Sequence, residues 1–157
     1  MFLLLGAGAP AAAQQRAYRV ELSGAAGYHI FDSRTDLASA IGGALRLGLW
    51  VSGPLSLEAE GSYTYPHTDT PLRQRVGVTT LSGWALANLP VGDASFIILK
   101  AGYGHTSYGS CPAVSVPGSG PCGAAGSLQA GAGVRISLSP TLFMRYEAIV
   151  NRSLTTL

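Results

Sequence analysis

Charge is scarce in this chain. Lys, Arg, Asp and Glu make up 11% of its 157 residues, against about 25% in an ordinary soluble domain. Long apolar runs are missing as well. No stretch of 18 apolar residues occurs, so the positive mean hydropathy does not come from a helical membrane span. No basic cluster lies beside stacking aromatics and the formal net charge is only +2, which excludes nucleic acid as a partner. Three scattered histidines, His29, His67 and His105, make no metal site, and nothing in the chain calls for a cofactor. Cysteine is limited to Cys111 and Cys122. No repeat exists beyond a hairpin-sized unit, and the length fits one domain.

What the chain does have is glycine, 21 residues of it, and a persistent alternation. In Ile41–Val51, the residues Ile41, Leu45, Leu47, Leu49 and Val51 share one parity, while Arg46 and Trp50 take the other. In Leu128–Leu138 the apolar set is Leu128, Ala130, Ala132, Val134, Ile136 and Leu138, opposite Gln129, Arg135 and Ser137. Strand side chains alternate faces with a period of two, so each segment has one apolar face and one able to hold charge. In a soluble sandwich the second face would carry many Lys and Glu. Here it is mostly Gly, Ser, Ala and single ions, which suits a confined interior. Apolar outside and polar inside is the pattern of a transmembrane β-barrel.

Seven strands are expected. They are Tyr18–Ile30, Ser39–Val51, Leu55–Tyr65, Arg75–Leu89, Ala94–His105, Gly126–Leu138 and Thr141–Asn151. Each is long enough to cross a bilayer at a tilt, which takes about 9–11 residues. The fourth is ambiguous in phase: Val76, Val78, Trp84 and Leu86 share a face and Leu81 lies on the other; a bulge would resolve this, but the sequence gives it no position. The connections alternate in length. Ser52–Pro54, Leu89–Asp93 and Ser139–Pro140 are tight; Phe31–Ala38, Pro66–Gln74 and Thr106–Ala125 are longer and polar. Outer-membrane barrels have short periplasmic turns and longer external loops, which starts this chain on the periplasmic side. A lipocalin-like barrel would reverse the faces, with an apolar interior and a charged exterior.

Residues 1–13 stand apart from the fold. An apolar stretch to Pro10 followed by Ala11-Ala-Ala-Gln14 reads as a signal-peptide remnant cleaved after Ala13, with residues 14–157 forming the barrel domain. The lack of a basic start places Met1 inside a longer signal; the alternative is a flexible Ala/Gly arm.

The run Val78-Thr-Thr-Leu-Ser-Gly-Trp-Ala-Leu-Ala-Asn-Leu-Pro90, followed by Phe96-Ile-Ile-Leu-Lys-Ala-Gly-Tyr-Gly104, resembles strands four and five of OmpA-type outer-membrane β-barrel domains. The resemblance covers about residues 16 to 157 and rests on pattern more than on a diagnostic motif. It implies an eight-stranded barrel filled with side chains, in the bacterial outer membrane, with recognition carried by external loops. The implied partners are outer-membrane lipid, the barrel-assembly machinery and periplasmic chaperones, with no ligand named for the loops. The peptidoglycan-binding domain that follows many such barrels does not occur in these residues. Only Arg152–Leu157 follow the seventh strand, so an eighth strand beyond Leu157 is expected, with strands one and seven left as edges.

Three constellations could carry chemistry. Inward-facing Arg46, Lys100, Arg135 and Arg145, with Arg75 as a further candidate, stand against Glu21, Glu58, Glu60 and Glu147. Buried ions must be paired, and the Ser52–Pro54 turn sets Arg46 opposite Glu60. This set forms either a static network filling a narrow lumen, which is favoured, or a gate of exchangeable pairs passing small ions. Cys111 and Cys122 flank a Gly/Pro/Ser-rich segment and most simply form one disulfide, worth about 3 kcal/mol in the chain-entropy model. A redox role would need a lowered thiol pKa, and no Lys, Arg or His lies between them. His105 and Ser107, with Glu147 as a third member, would suit the lipid A deacylases known among such barrels. Glu147 is expected inside and His105 outside, which separates them.

The resulting reading is a non-enzymatic outer-membrane barrel with a structural role. That reading leaves room for weak, porin-like small-ion conductance; surface binding through loop 106–125 and lipid A modification are the alternatives.

Overall fold

A computed structural model describes residues 20–31, 36–69, 73–109, 123–139 and 142–154. These form seven strands: β1 (Val20–His29), β2 (Ala40–Ser52), β3 (Leu55–Thr64), β4 (Val78–Pro90), β5 (Ser95–Tyr108), β6 (Gly123–Ser137) and β7 (Phe143–Ser153). They make one antiparallel sheet in chain order, an up-and-down meander curled into a half-barrel. Among the described residues, no pairing joins β1 to β7, so both are edges. No described helix is long and apolar enough to cross a membrane.

The alternation sets the two faces. Leu47, Leu49, Leu57, Leu99, Val134 and Ile136 are 38–53% exposed on the convex side. Lys100 and Arg135, one residue out of phase, retain only 4% and 5%. A meander needs only tight turns, and these lie at one end. Gly53, at φ 24°, turns β2 into β3 beside a one-residue irregularity between Trp50 and Ser52. Asn88 anchors that turn to β4: its amide donates to the Pro54 carbonyl at 3.1 Å and to Ser56 Oγ at 3.0 Å.

The other end carries the longer connections, and two of them are knitted together. Ala38 N–H donates to the His67 carbonyl and Asp69 N–H to the Asp36 carbonyl, both at 2.8 Å. Leu37, Val76 and Val78 are buried beneath this junction, with Phe31 and Tyr108 against them. Small apolar and aromatic side chains thus cap the sheet's inner face at the loop end.

One open phase is decided and two expectations need correction. No bulge occurs in β4, whose register is unbroken against both β3 and β5. Trp84 and Leu86 simply face inward and Leu81 outward, because the lumen accepts an apolar layer as well as ions. Arg75 is not in the lumen. It precedes β4, is exposed, and its Nε donates to His67 Nε2 at 3.1 Å while its guanidinium lies 5.6 Å from the Tyr65 ring. Loop 106–125 is shorter than its polar composition suggests. Thr106, Ser107 and Tyr108 pair with Ala125, Ala124 and Gly123, and a 2.9 Å Thr80–Thr106 hydroxyl bond extends the ladder on the inner face. The cysteine pair Cys111–Cys122 and the signal segment 1–13 lie outside the described residues.

The facing generates a depth-dependent prediction. Ala101→Arg, on the convex face in the middle of β5, should lower stability in lipid vesicles by about 2–4 kcal/mol. Val91→Arg, at a turn, should lower it by only about 0–1 kcal/mol. Denaturant titration of vesicle-inserted protein measures both; equal midpoints would contradict a lipid-facing convex side.

Candidate functional site

Each inward ion is placed by strand parity, and the curl then decides its partners. Arg46 on β2 and Glu60 on β3 are directly opposite in register, and Arg46 Nε donates to Glu60 at 2.6 Å. The same guanidinium crosses the lumen to Glu147 on β7 at 3.1 Å. Lys100 on β5 donates to Glu147 at 3.0 Å and lies 3.8 Å from both Glu58 and Glu60. Arg145 on β7 bonds its near neighbour Glu147 and reaches across to Glu58 at 2.6 Å. Three cations therefore face three carboxylates, all with side chains no more than 11% exposed. Charges this deeply buried must be neutralised locally, and these are.

A second, separate pair lies nearer the turns. Arg135 on β6 clasps Glu21 on β1 with two hydrogen bonds of 2.7 Å. Its guanidinium lies 3.8 Å from the centre of the Phe143 ring and 5.7 Å from Trp50. Arg135 and Arg145 are cross-strand neighbours in register, and each turns to a different carboxylate. A bidentate Arg–carboxylate fork is the strongest of these contacts in geometry.

Between the ions sits an apolar layer that the alternation does not single out. Trp84, Leu86 and Ile98 are buried together, with Ile149 packed on them. Lys100 Nζ lies 3.9 Å from the centre of the Trp84 ring, so the indole shields the ammonium while attracting it. The signal for Ile98 was hidden in Phe96–Leu99, where four consecutive apolar residues erase the alternation. Its even parity with Lys100 was the available clue.

Glycines on neighbouring strands make room for these side chains. A Cβ on residue 102 would collide with the Gly83 carbonyl and fall 2.9 Å from Trp84. One on residue 133 would collide with the Tyr146 carbonyl and fall 2.8 Å from Glu147. Trp84 and Glu147 thus lie against bare backbone, which is how a narrow lumen holds both.

His105 and Ser107 face outward and are exposed, whereas Glu147 is on the inner face. The sheet separates the acid from the other two. Among the described residues, no group of three or more His, Cys, Asp or Glu is arranged to hold a metal.

An antiparallel meander with an aliphatic convex face and paired ions on its concave face defines a membrane β-barrel domain. The chain matches the family model described as outer membrane protein beta-barrel domain over residues 1–151, and it belongs to that family. No curated protein and no solved structure matches it.

Two consequences can be measured by unfolding. Glu147→Ala removes the carboxylate shared by Arg46, Lys100 and Arg145 and should cost about 3–5 kcal/mol. Glu60→Ala should cost less, since Arg46 keeps Glu147, and exposed Asp69→Ala should stay within about 0.5 kcal/mol. A different order of midpoints would contradict the convergence on Glu147. Gly102→Ala should cost about 1–3 kcal/mol by forcing Trp84 off the backbone. A change in tryptophan emission relative to the wild type would accompany it.

Proposed function

We propose that this protein is a non-enzymatic structural barrel of the bacterial outer membrane. Its lumen is filled by its own side chains and its longer loops are displayed outside. The observation that carries the reading is the set of ion pairs running across the concave face, β2 to β7, β3 to β7 and β1 to β6. Such pairs occupy the space an aqueous path would need. The apolar cap of Leu37, Val76 and Val78 supports the same reading at the loop end.

A surface-binding role is the second reading. It is favoured by the backbone bonds between the Asp36–Ala38 and His67–Asp69 segments, which would hold two loops as one platform. Loss of cell or ligand binding on deleting residues 110–122 would speak for the remaining loop. A lipid A-modifying enzyme draws no support from His105 and Glu147, which occupy opposite faces.

Planar-bilayer recording tests the structural reading. Inserted protein should give no sustained open level, and Lys100→Ala with Glu147→Ala should give transient openings only. A steady conductance from every wild-type insertion would overturn the filled lumen. Recovery of the protein in inner-membrane rather than outer-membrane fractions would overturn the location.

A further inference from the structure

The convex face is not uniformly convex. Residues Ala59, Gly61 and Gly83 form the floor of an open groove of about 460 Å³, walled by Leu22, Leu45 and Leu47 on one side and by Leu81 and Tyr103 on the other. Beyond the groove, Tyr63 and Tyr65 follow Ala59 and Gly61 on the same face of the chain. Gly43, opposite Tyr63 in register, leaves the surface bare beside that tyrosine, whose hydroxyl leans the other way, 3.1 Å from where a Gly77 Cβ would stand. Above it Tyr63 and Tyr65 stack at 6.2 Å. The track ends at the exposed Arg75, held between the Tyr65 ring and His67. From Gly61 to Tyr65 is about 13 Å of strand.

An apolar slot topped by an aromatic pair and a cation matches an amphiphile whose apolar and anionic parts are separated by that distance. We propose that this strip is a binding site for one phosphorylated lipid of the outer leaflet. Its acyl chain lies in the Ala59–Gly61–Gly83 groove, and its phosphate accepts hydrogen bonds from Arg75. The proposal rests on the membrane reading above. It adds a selective site to what would otherwise be a uniform lipid shell. Arg75 supplies the charge complementarity, since a guanidinium on an exposed aromatic is a directional phosphate donor. Its hydrogen bond to His67 Nε2 fixes the direction in which the remaining N–H groups point.

The groove can be filled without disturbing the sheet. A Cβ on Gly83 would meet nothing within 4 Å, whereas Ala148, exposed on the convex face of β7, does not line the groove. Gly83→Leu is therefore the test and Ala148→Leu its control.

The 157-residue chain is refolded into vesicles and extracted into mild detergent with equal amounts of lipid A and phosphatidylcholine. Native mass spectrometry then reads the retained lipid. One lipid A per protein should be retained in preference to phosphatidylcholine. Arg75→Ala should reduce that preference about fivefold, the effect of one cation at an anionic surface. Gly83→Leu should abolish retention of the bound lipid, and Ala148→Leu should leave it unchanged. Equal retention of the two lipids by the wild type, or an unchanged preference in Arg75→Ala, would overturn the proposal. So would a wild-type dimer that Gly83→Leu converts to monomer, since the groove would then seat a second copy. Failure to insert into vesicles at all would instead overturn the membrane reading, and insertion without selectivity would overturn only this site.

Discussion

Glu147 is the point on which the inner face converges. Its carboxylate takes Arg46 from β2, Lys100 from β5 and Arg145 from its own strand. In hydrocarbon-walled surroundings an unpaired ion is far more expensive than in water, so these partners cannot separate independently. That requirement has a geometric result. Arg46 on β2 can meet Glu147 on β7 only if the sheet curls until its second and seventh strands face one another. Charge balance and curvature are thus one constraint, and the bidentate Arg135–Glu21 pair repeats it between β6 and β1 nearer the turns.

Curvature in turn decides where bulk is tolerated. A lumen this narrow cannot hold a tryptophan above a Cβ, so Trp84 lies over Gly102 and Glu147 over Gly133. Glycine weakens a strand through lost packing and added chain freedom. Here that loss is offset because the larger side chain on the neighbouring strand fills the vacated space. The Trp84–Leu86–Ile98 layer then lowers the local dielectric around Lys100, which strengthens its ion pairs and raises the penalty for breaking them.

Strand existence, order and facing could be read from the sequence because parity is a local property and the ions mark it. The opposition of Arg46 to Glu60 was readable too, since a short turn after Ser52 leaves few registers open. What parity could not give was contact across the lumen. Arg135 and Glu21 are 114 residues apart and on strands that are not neighbours, so no periodicity relates them. Arg75 was misplaced for a related reason. It has the odd parity of the outward Leu81, and the His67–Arg75 bridge keeps the register of Thr64–Val78, so once the even residues of β4 face inward Arg75 falls on the outer rim. Loop 106–125 was overdrawn because Thr, Ser and Gly are as suitable for a barrel's inner wall as for a loop. The phase of β4 was lost because an apolar lumen layer looks, in sequence, like a second lipid-facing set.

The same ion pairs limit what the interior can do. A path for ions through the inner face would require Arg46, Lys100 and Arg145 to shift away from Glu58, Glu60 and Glu147 together, because each carboxylate is held by more than one cation. Breaking one buried pair costs about 3–5 kcal/mol, so a state with one pair open holds only about one molecule in a few hundred to a few thousand. Opening several at once is rarer still unless new partners replace the old. The inward polar groups in the upper lumen include the hydroxyls of Thr64, Thr80, Ser82 and Ser127, the Gln129 amide and the His29 imidazole. None carries the charge that would stabilise a displaced arginine. An inner face with one balanced arrangement and no further carboxylate among these upper groups supports the proposed structural role over an ion path.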